Sequence, residues 1–282
     1  MTEPSAVAAA RSRAVIMEEL RRLMPGVEDV RAALPFGLAA IDSHLPQGGL
    51  TCGALHEVVP DQGAAAAAFG FIMALLAHSS FSLSREESER AEFRHWGPSP
   101  AAVRLSAAAP FVFVMPAYGR REHGRLYGHG VCAFGLDPAR LILVETAHRK
   151  DTLWALEEAL RSAAPAAVAG MIDRLDLKLS QRLQLSAMEA GLPLFLLRPA
   201  QNLESSAAAT RWRVGTAEAA RDRFGLVARP RWHLHLERCR NGRPGEWMVE
   251  YDHVAHRFSL AAALADPAFS RRAGENPLQR AC

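Results

Sequence analysis

The sequence predicts an α/β fold, a mostly parallel sheet that the C-terminal third extends with antiparallel strands. Three observations predict it. Between Ala54 and Leu197 short apolar runs alternate with helical stretches, the pattern of parallel strands joined by crossover helices. After residue 210 that alternation gives way to closely spaced strand-like runs with tight turns. The chain of 282 residues, 49% hydrophobic and 22% charged, can bury one sizeable core and still leave an arm and a tail.

Residues 1–30 read as an N-terminal helical arm. Ser12 is placed to cap a helix with Ile16, Leu20 and Leu23 on one face, and Pro25-Gly26 stops it. The domain proper is expected over 31–260. It opens with the turn-rich LPFGLAAIDSHLPQGGL (Leu34–Leu50), a strand over Ala54–Val59, the turn PDQG, and an alanine-rich buried helix over Ala64–Ala77. Residues 79–109 turn polar and charged and read as a surface insertion. FVFVM (Phe111–Met115) is a buried strand, and GRREHGRLYGHG after it reads as a flexible basic loop. Then follow a strand at Leu141–Val144, a helix at Thr152–Ser162, a strand at Ala166–Ile172, a helix at Leu177–Ala190 and a strand at Pro193–Leu197. TRWRV and RWHLHLERCRNGRPGEWMVEYDHVAHRFSL read as antiparallel strands with Asn241-Gly242 at a hairpin apex. Small, charged and proline-containing residues make 261–282 a flexible tail.

Composition narrows the setting. No apolar run is long enough to span a membrane, and the start of the chain lacks the apolar stretch of a secretory signal, so a cytoplasmic protein is expected. Cys52, Cys132, Cys239 and Cys282 lie far apart, without the CxxC spacing of a zinc site or the density of a disulfide framework. A formal charge of +3 does not by itself imply a nucleic-acid partner. All but two of the 33 basic residues are arginine; Lys150 and Lys178 are the only lysines.

That scarcity matters at the strand–turn–helix of Ala54–Ala77, where a nucleotide-binding α/β protein would carry its phosphate loop. Such a loop needs backbone amides to wrap the phosphates, a lysine to neutralise them and a hydroxyl for magnesium. Pro60, Asp61, Gln62, Gly63, Ala64 and Ala65 stand there instead, with no lysine, no hydroxyl and an added carboxylate. These positions are not expected to bind ATP, and no cofactor is expected.

The run LPFGLAAIDSHLPQGGLTCGALHEVVPDQGAAAAAFGFIMALLA resembles the start of a RecA-like core with an eroded P-loop, and is most similar to the ImuA family. The resemblance continues through GLDPARLILVETAHRKDTLWALEEALRS, GLPLFLLRP, TRWRV and ERCRNGRPGEWMVEYD, and covers most of residues 34–260. It implies a RecA-like fold with a degenerate P-loop. Its lysine and threonine positions fall at about Ala64 and Ala65, Met115-Pro116-Ala117-Tyr118 replaces the hydrolytic carboxylate, and Gly170-Met171 stands where a Walker B acid is expected, with Asp173 slightly late. Both DNA-binding loops of RecA are expected to be trimmed. The function implied is that of a non-catalytic accessory protein in SOS-type translesion synthesis and DNA-damage-induced mutagenesis. Its partners would be an ImuB-like Y-family-related protein and RecA, with self-association through the arm as a further option and DNA binding weak or indirect. A RecA/RadA-type ATPase with an unorthodox loop and a SulA-like cell-division inhibitor are the alternatives; the missing lysine counts against the first and chain length against the second.

Two further patterns bear on sites. From Arg211 to Arg243, nine arginines face only Glu218, Asp222 and Glu237, a formal +6. With Trp212 and Trp232 interleaved, the stretch suits single-stranded DNA or an acidic protein surface, unless the tryptophans are buried and the arginines paired. Arg211, Arg213, Arg238, Arg240 and Arg243, with Ile16, Leu20 and Leu23 of the arm, are the candidate partner-binding residues. His233, His235 and Glu237 alternate as metal ligands would, but no clear fourth group is near, and no metal is expected. No spacing suggests a nucleophile, and no catalytic residue is assigned.

Overall fold

In chain order the elements are β1 (Ala33–Leu34), α1 (Ala39–Asp42), β2 (Leu50–Thr51), β3 (Leu55–Pro60), α2 (Ala65–Glu92), β4 (Phe111–Pro116), α3 (Ala117–His123), α4 (Gly128–Ala133), β5 (Leu141–Thr146), α5 (Arg149–Arg161), β6 (Ala167–Met171), α6 (Leu177–Ala190), β7 (Leu194–Leu197), β8 (Thr210–Thr216), β9 (Ala220–Arg221), β10 (Val227–Arg229), β11 (Arg231–Cys239), β12 (Gly245–Asp252) and β13 (Arg257–Leu260). The computed structural model describes residues 32–92, 109–201, 204–221, 224 and 226–261, with the backbone alone for 80–92, 220–221 and 227–228. The arm carrying Ile16, Leu20 and Leu23, residues 93–108 and all but the first residue of the expected tail lie outside these.

Nine strands form one mixed sheet in the order β13-β12-β11-β8-β3-β7-β6-β4-β5. The six from β8 to β5 are parallel, and β11, β12 and β13 extend them antiparallel. The expected α/β architecture with its antiparallel extension is therefore present. Every residue of β3, β4, β6 and β7 is buried, which is why, apart from His56 and Glu57 of β3, these strands read as continuous apolar runs rather than alternating ones. Beyond β8 the pattern alternates, because one face alone meets the core.

Helix α2 covers that inner face. Its Phe71 lies 6.1 Å from the Trp212 ring, 5.9 Å from Trp232 and 6.0 Å from Phe258, and Phe36 and Tyr251 complete the aromatic cluster. Rings at these separations pack favourably beyond the area they bury. Helices α5 and α6 pack on the opposite face. Asp176 caps α6 by accepting the Leu179 amide at 2.8 Å, and Gly191, left-handed at φ 70°, ends it.

Two expectations need correction. The segment GRREHGRLYGHG is not a flexible loop, since α3 takes in its first half and α4 begins at its end. Its glycines misled: Gly119 is buried, and a Cβ there would stand 2.9 Å from the Met171 sulfur, so it serves close packing rather than mobility. Arg120 and Arg125 are held by Glu145 of β5 at 3.1 and 3.9 Å. Likewise α2 does not stop at Ala77 but runs to Glu92, so the first part of the expected insertion is a helical extension. Among the described residues no helix is long and apolar enough to cross a membrane.

After β4 the chain moves outward to β5, and after β6 it moves the other way to β7. Connections that diverge in this manner leave a crevice at the carboxyl ends of the strands.

Candidate functional site

Four neighbourhoods of the sheet hold the described residues singled out from the sequence: two lie at the carboxyl ends of the parallel strands, one is buried in the sheet, and one runs along its antiparallel extension to a hairpin at the amino end of β8. The first is the turn from β3 to α2. Pro60 ends the strand, and Asp61, Gln62, Gly63 and Ala64 lead into the helix. The Asp61 amide donates to the Val214 carbonyl and the Ala64 amide to the Asp61 carbonyl, both at 2.9 Å. Two amides of the turn are thus spent on the protein's own backbone. The Asp61 carboxylate leans over Gly215 of β8 and lies 3.9 Å from Arg213.

The second is the crevice between β4 and β6, a cavity of about 130 Å³. Tyr118, Arg121, Arg149, Thr152, Met171 and Asp173 line it. Burial pushes the Tyr118 phenol above its ordinary pKa, the carboxylates of Asp173 and Glu122 add to this, and Arg198 opposes it. The phenol is therefore a hydrogen-bond donor at neutral pH and not a base. Gly170, at the position where an acid was looked for, has no room for any side chain: a Cβ would meet the Val114 carbonyl oxygen at 2.9 Å and Leu156 at 3.0 Å. Asp173 instead accepts the Arg174 amide at 2.8 Å, and four residues later α6 has begun.

The third is a buried ionic triad. Glu57 of β3 and Arg198, just past β7, are both completely buried, and Arg198 Nη1 donates to Glu57 Oε1 at 2.8 Å. Arg211 of β8 donates to the other carboxylate oxygen, also at 2.8 Å. Arg198 Nε and Nη2 have no hydrogen-bond partner among the described residues. Beside the triad, on the other face of β3, the fully buried His56 is wired into a chain. Trp212 Nε1 donates to Thr210 Oγ1 at 3.0 Å, and the hydroxyl lies 2.8 Å from His56 Nδ1, whose Nε2 lies 3.0 Å from the Thr51 carbonyl oxygen. A carbonyl only accepts, so Nε2 carries the proton, Nδ1 is the bare nitrogen and Thr210 donates to it. Burial pushes the His56 pKa down to about 4, against the opposing hydrogen bond to Thr51.

The fourth is the arginine-rich sheet extension. Local counting gave it +6, but the fold brings acids to it from elsewhere. Arg211 meets Glu57, Arg213 meets Glu237 and Asp61, and Arg229 and Arg231 meet Glu250. Arg229 also binds Asp252 at 2.8 Å, and His233 binds Glu246 across the β11–β12 ladder. The alternating His233 and Glu237 are thus taken up by contacts to Glu246 and Arg213. Among the described residues no cluster has the makings of a metal site. Trp212 and Trp232 are 0% and 3% exposed, which removes both as stacking platforms for bases.

Arg238, Arg240 and Arg243 differ from their neighbours. They surround the hairpin apex, where Asn241 is left-handed at φ 60°, and all three are exposed. Their guanidiniums donate to the carbonyls of Ser206, Ala207 and Ser43 at 2.6, 2.7 and 3.2 Å. A carbonyl satisfies a guanidinium without neutralising it, so this end of the sheet keeps its positive charge. Of the five arginines singled out in sequence, the structure groups these three at one corner and ties Arg211 and Arg213 into the interior network.

Sequence reasoning missed Glu57, Arg198 and His56. A signal was available for two of them. A carboxylate inside LHEVV and an arginine directly after LFLL are ionisable groups in runs destined for burial, and such groups persist there only when paired.

The chain is 31% identical over 261 residues to Protein ImuA of Caulobacter vibrioides (strain NA1000 / CB15N), a match covering 86% of this chain and 93% of that protein. The same figures hold for Protein ImuA of Caulobacter vibrioides (strain ATCC 19089 / CIP 103742 / CB 15). No family model matches.

Proposed function

The chain belongs to the ImuA family, and from that premise we propose that it is a non-catalytic accessory protein of SOS-type translesion synthesis and induced mutagenesis. It acts in the cytoplasm through protein contacts with an ImuB-like protein and with RecA. In this reading the six parallel strands are a RecA-like core, and the β3–α2 turn is a P-loop that has lost its purpose.

The turn is the observation that carries the non-catalytic part. A phosphate cradle needs unspent amides and positive charge, because phosphoryl transfer is catalysed almost wholly by positioning and electrostatics. Here two amides are committed to backbone carbonyls, and a carboxylate occupies the space beside Arg213. Gly170 adds support, since a metal-binding acid does not fit at that point of β6.

Contact surfaces remain as the means of action, and the corner formed by Arg238, Arg240 and Arg243 is the best placed among the described residues. Arginine there offers planar forks for the carboxylates of a partner. The test is calorimetric binding of the ImuB-like protein and of RecA to the wild type and to a variant with all three arginines changed to Glu, beside a matching change to Gln. At least about tenfold weaker binding to one partner, larger for Glu than for Gln, is expected. Wild-type affinity for both partners in a folded Glu variant would remove the corner from the interface. Saturable ATP binding with turnover would overturn the non-catalytic reading.

A further inference from the structure

The cavity of about 130 Å³ between β4 and β6 is lined by charged groups that do not neutralise one another. Arg121 of α3 makes no ion pair among the described residues, and Arg149 of α5 donates only to a carbonyl, that of Arg174 at 3.2 Å. Asp173, the third charged residue of the lining, pairs with neither. Its Oδ1 accepts the Arg174 amide at 2.8 Å, and its Oδ2 has no hydrogen-bond partner among the described residues. The Tyr118 hydroxyl also makes no hydrogen bond among them, and burial keeps it protonated, so it has a proton to donate. Thr152 adds nothing, because its hydroxyl donates to the His148 carbonyl at 3.3 Å and lies 2.7 Å from the Thr146 hydroxyl, which is left to donate to it.

Two features of the fold add positive potential. Ala147 and Arg149 of the lining straddle the start of α5, a helix of 13 residues whose first turn no side chain caps, and the positive end of its dipole lies there. Arg198 stands nearby. Leu196 pairs with Gly170, and strand alternation places Arg198 on the same face, the one α5 covers, since a Cβ on Gly170 would meet Leu156. Its Nε and Nη2 have no hydrogen-bond partner among the described residues despite complete burial, and its charge is felt at the Tyr118 phenol.

Donors and positive charge outweigh the one carboxylate, so the cavity suits an anion. The carboxylate then narrows the choice. An ionised Asp173 can only accept, so an anion beside it must keep a proton to donate. Hydrogen phosphate keeps one at neutral pH, whereas sulfate and a phosphodiester carry none and would set lone pairs against lone pairs. Size narrows it further, because pockets for drug-sized ligands begin at about 300 Å³, and a whole nucleotide does not fit.

We propose that the crevice between β4 and β6 is a binding site for a phosphate group that retains a proton, held by donation from Arg121, Arg149 and Tyr118 and recognised by Asp173 through that proton. Free phosphate and a protonated phosphomonoester share this chemistry. The inference rests neither on the β3–α2 turn nor on the hairpin corner, and holds whichever partner the protein meets.

Calorimetric titration of the full chain at neutral pH, in a phosphate-free buffer of constant ionic strength, tests it. Phosphate should bind saturably with a dissociation constant on the order of 1 mM or below, and sulfate at least about tenfold more weakly. Arg121→Gln with Arg149→Gln changes two exposed residues, so the melting temperature should hold while phosphate binds at least about tenfold more weakly, through lost charge-assisted bonds. Asp173→Asn is the deciding variant. An amide can donate as well as accept, so sulfate should gain and the preference for phosphate should fall to about twofold or less. A 5′-phosphorylated oligonucleotide compared with its 5′-hydroxyl form, at a pH of about 6 where the ester is half protonated, identifies the source. Tighter binding of the phosphorylated form assigns an end phosphate, and no difference between the two assigns the free ion. The proposal is overturned by an absence of saturable phosphate binding, by equal affinity of the wild type for phosphate and sulfate, or by phosphate binding that survives the two arginine changes.

Discussion

Removing the Glu57 carboxylate should cost the protein more than any surface change. Arg198 has no exposure to solvent, and its one recorded hydrogen bond outside the backbone is the 2.8 Å contact to Glu57 Oε1, while its Nε and Nη2 already lack partners. Glu57→Ala therefore strands a fully buried guanidinium and opens a cavity beside it. Breaking a buried pair in this way costs about 3–5 kcal/mol. For a domain of this size, at roughly 2–4 °C per kcal/mol, that is a fall of about 6–20 °C in melting temperature. Arg211 softens the loss little, since it is 15% exposed and keeps the Ser206 hydroxyl and the Glu204 carbonyl as acceptors. The diagnostic control is Glu57→Leu with Arg198→Met, which removes both charges and keeps volume. It should melt within about 1–2 kcal/mol of the wild type, because apolar replacement of a buried pair is often neutral. Scanning calorimetry or circular dichroism reads both. A single Glu57→Ala variant melting within 2–3 °C of the wild type, by about 1 kcal/mol or less, would mean that water reaches Arg198. A double variant no better than the single one would mean that the site is valued for shape and not for charge.

The remaining predictions concern His56, Gly170 and the hairpin corner. The folded pKa of His56, about 4, lies below its unfolded value near 6.5, so between those limits the unfolded chain binds a proton that the native state refuses. Its contribution is complete above pH 6.5 and is lost as pH falls towards 4, on the order of 3 kcal/mol across the window. Urea midpoints measured across this window should show that slope, and His56→Gln should flatten it; an equal slope in both proteins assigns the effect to other groups. Gly170→Asp should destabilise by several kcal/mol, roughly 3 or more, through steric overlap with Val114 and Leu156 and a buried charge, and should confer no ATP turnover. Changing Arg238, Arg240 and Arg243 to Gln should cost roughly 1 kcal/mol for each lost carbonyl contact, with hydrogen exchange quickening at residues 204–209; unchanged exchange there would show that other contacts hold that connection.

Much of the parallel core was legible in the sequence because each strand's burial is written into its own residues. FVFVMP and LFLL are apolar along their whole length, and LHEVVP but for His56 and Glu57, because helices cover both faces of the sheet. Helix α6 was legible to its last residue because Asp176 and Gly191 punctuate it. Glycine-rich chemistry was harder. Gly119 and Gly130 read as a loop, yet Gly119 is there so that α3 can close on Met171. The same local string suits a mobile loop and a tight helix contact, and only the far side of the contact, 52 residues on, tells them apart.

The charge pattern failed for a related reason, and the failure sharpens the functional reading. A window from Arg211 to Arg243 counts charges along the chain, whereas the sheet pairs them across it. Glu57 and Asp61 arrive through the parallel β3–β8 pairing, and Glu246 and Glu250 through the antiparallel β11–β12 pairing. Where strand pairing brings an acid alongside, the arginine is held by a carboxylate and becomes part of the scaffold, as with Arg211, Arg213 and Arg231. At the hairpin apex the β11–β12 pairing has ended, Arg238 stands opposite Arg211 of β8 rather than an acid, and the side chains of Arg238, Arg240 and Arg243 turn back to backbone carbonyls. Positive charge therefore collects where pairing ends. Because carbonyl contacts fix these guanidiniums in place before any partner arrives, a carboxylate surface docking at this corner would meet an ordered array and lose less side-chain entropy than it would against solvated arginines.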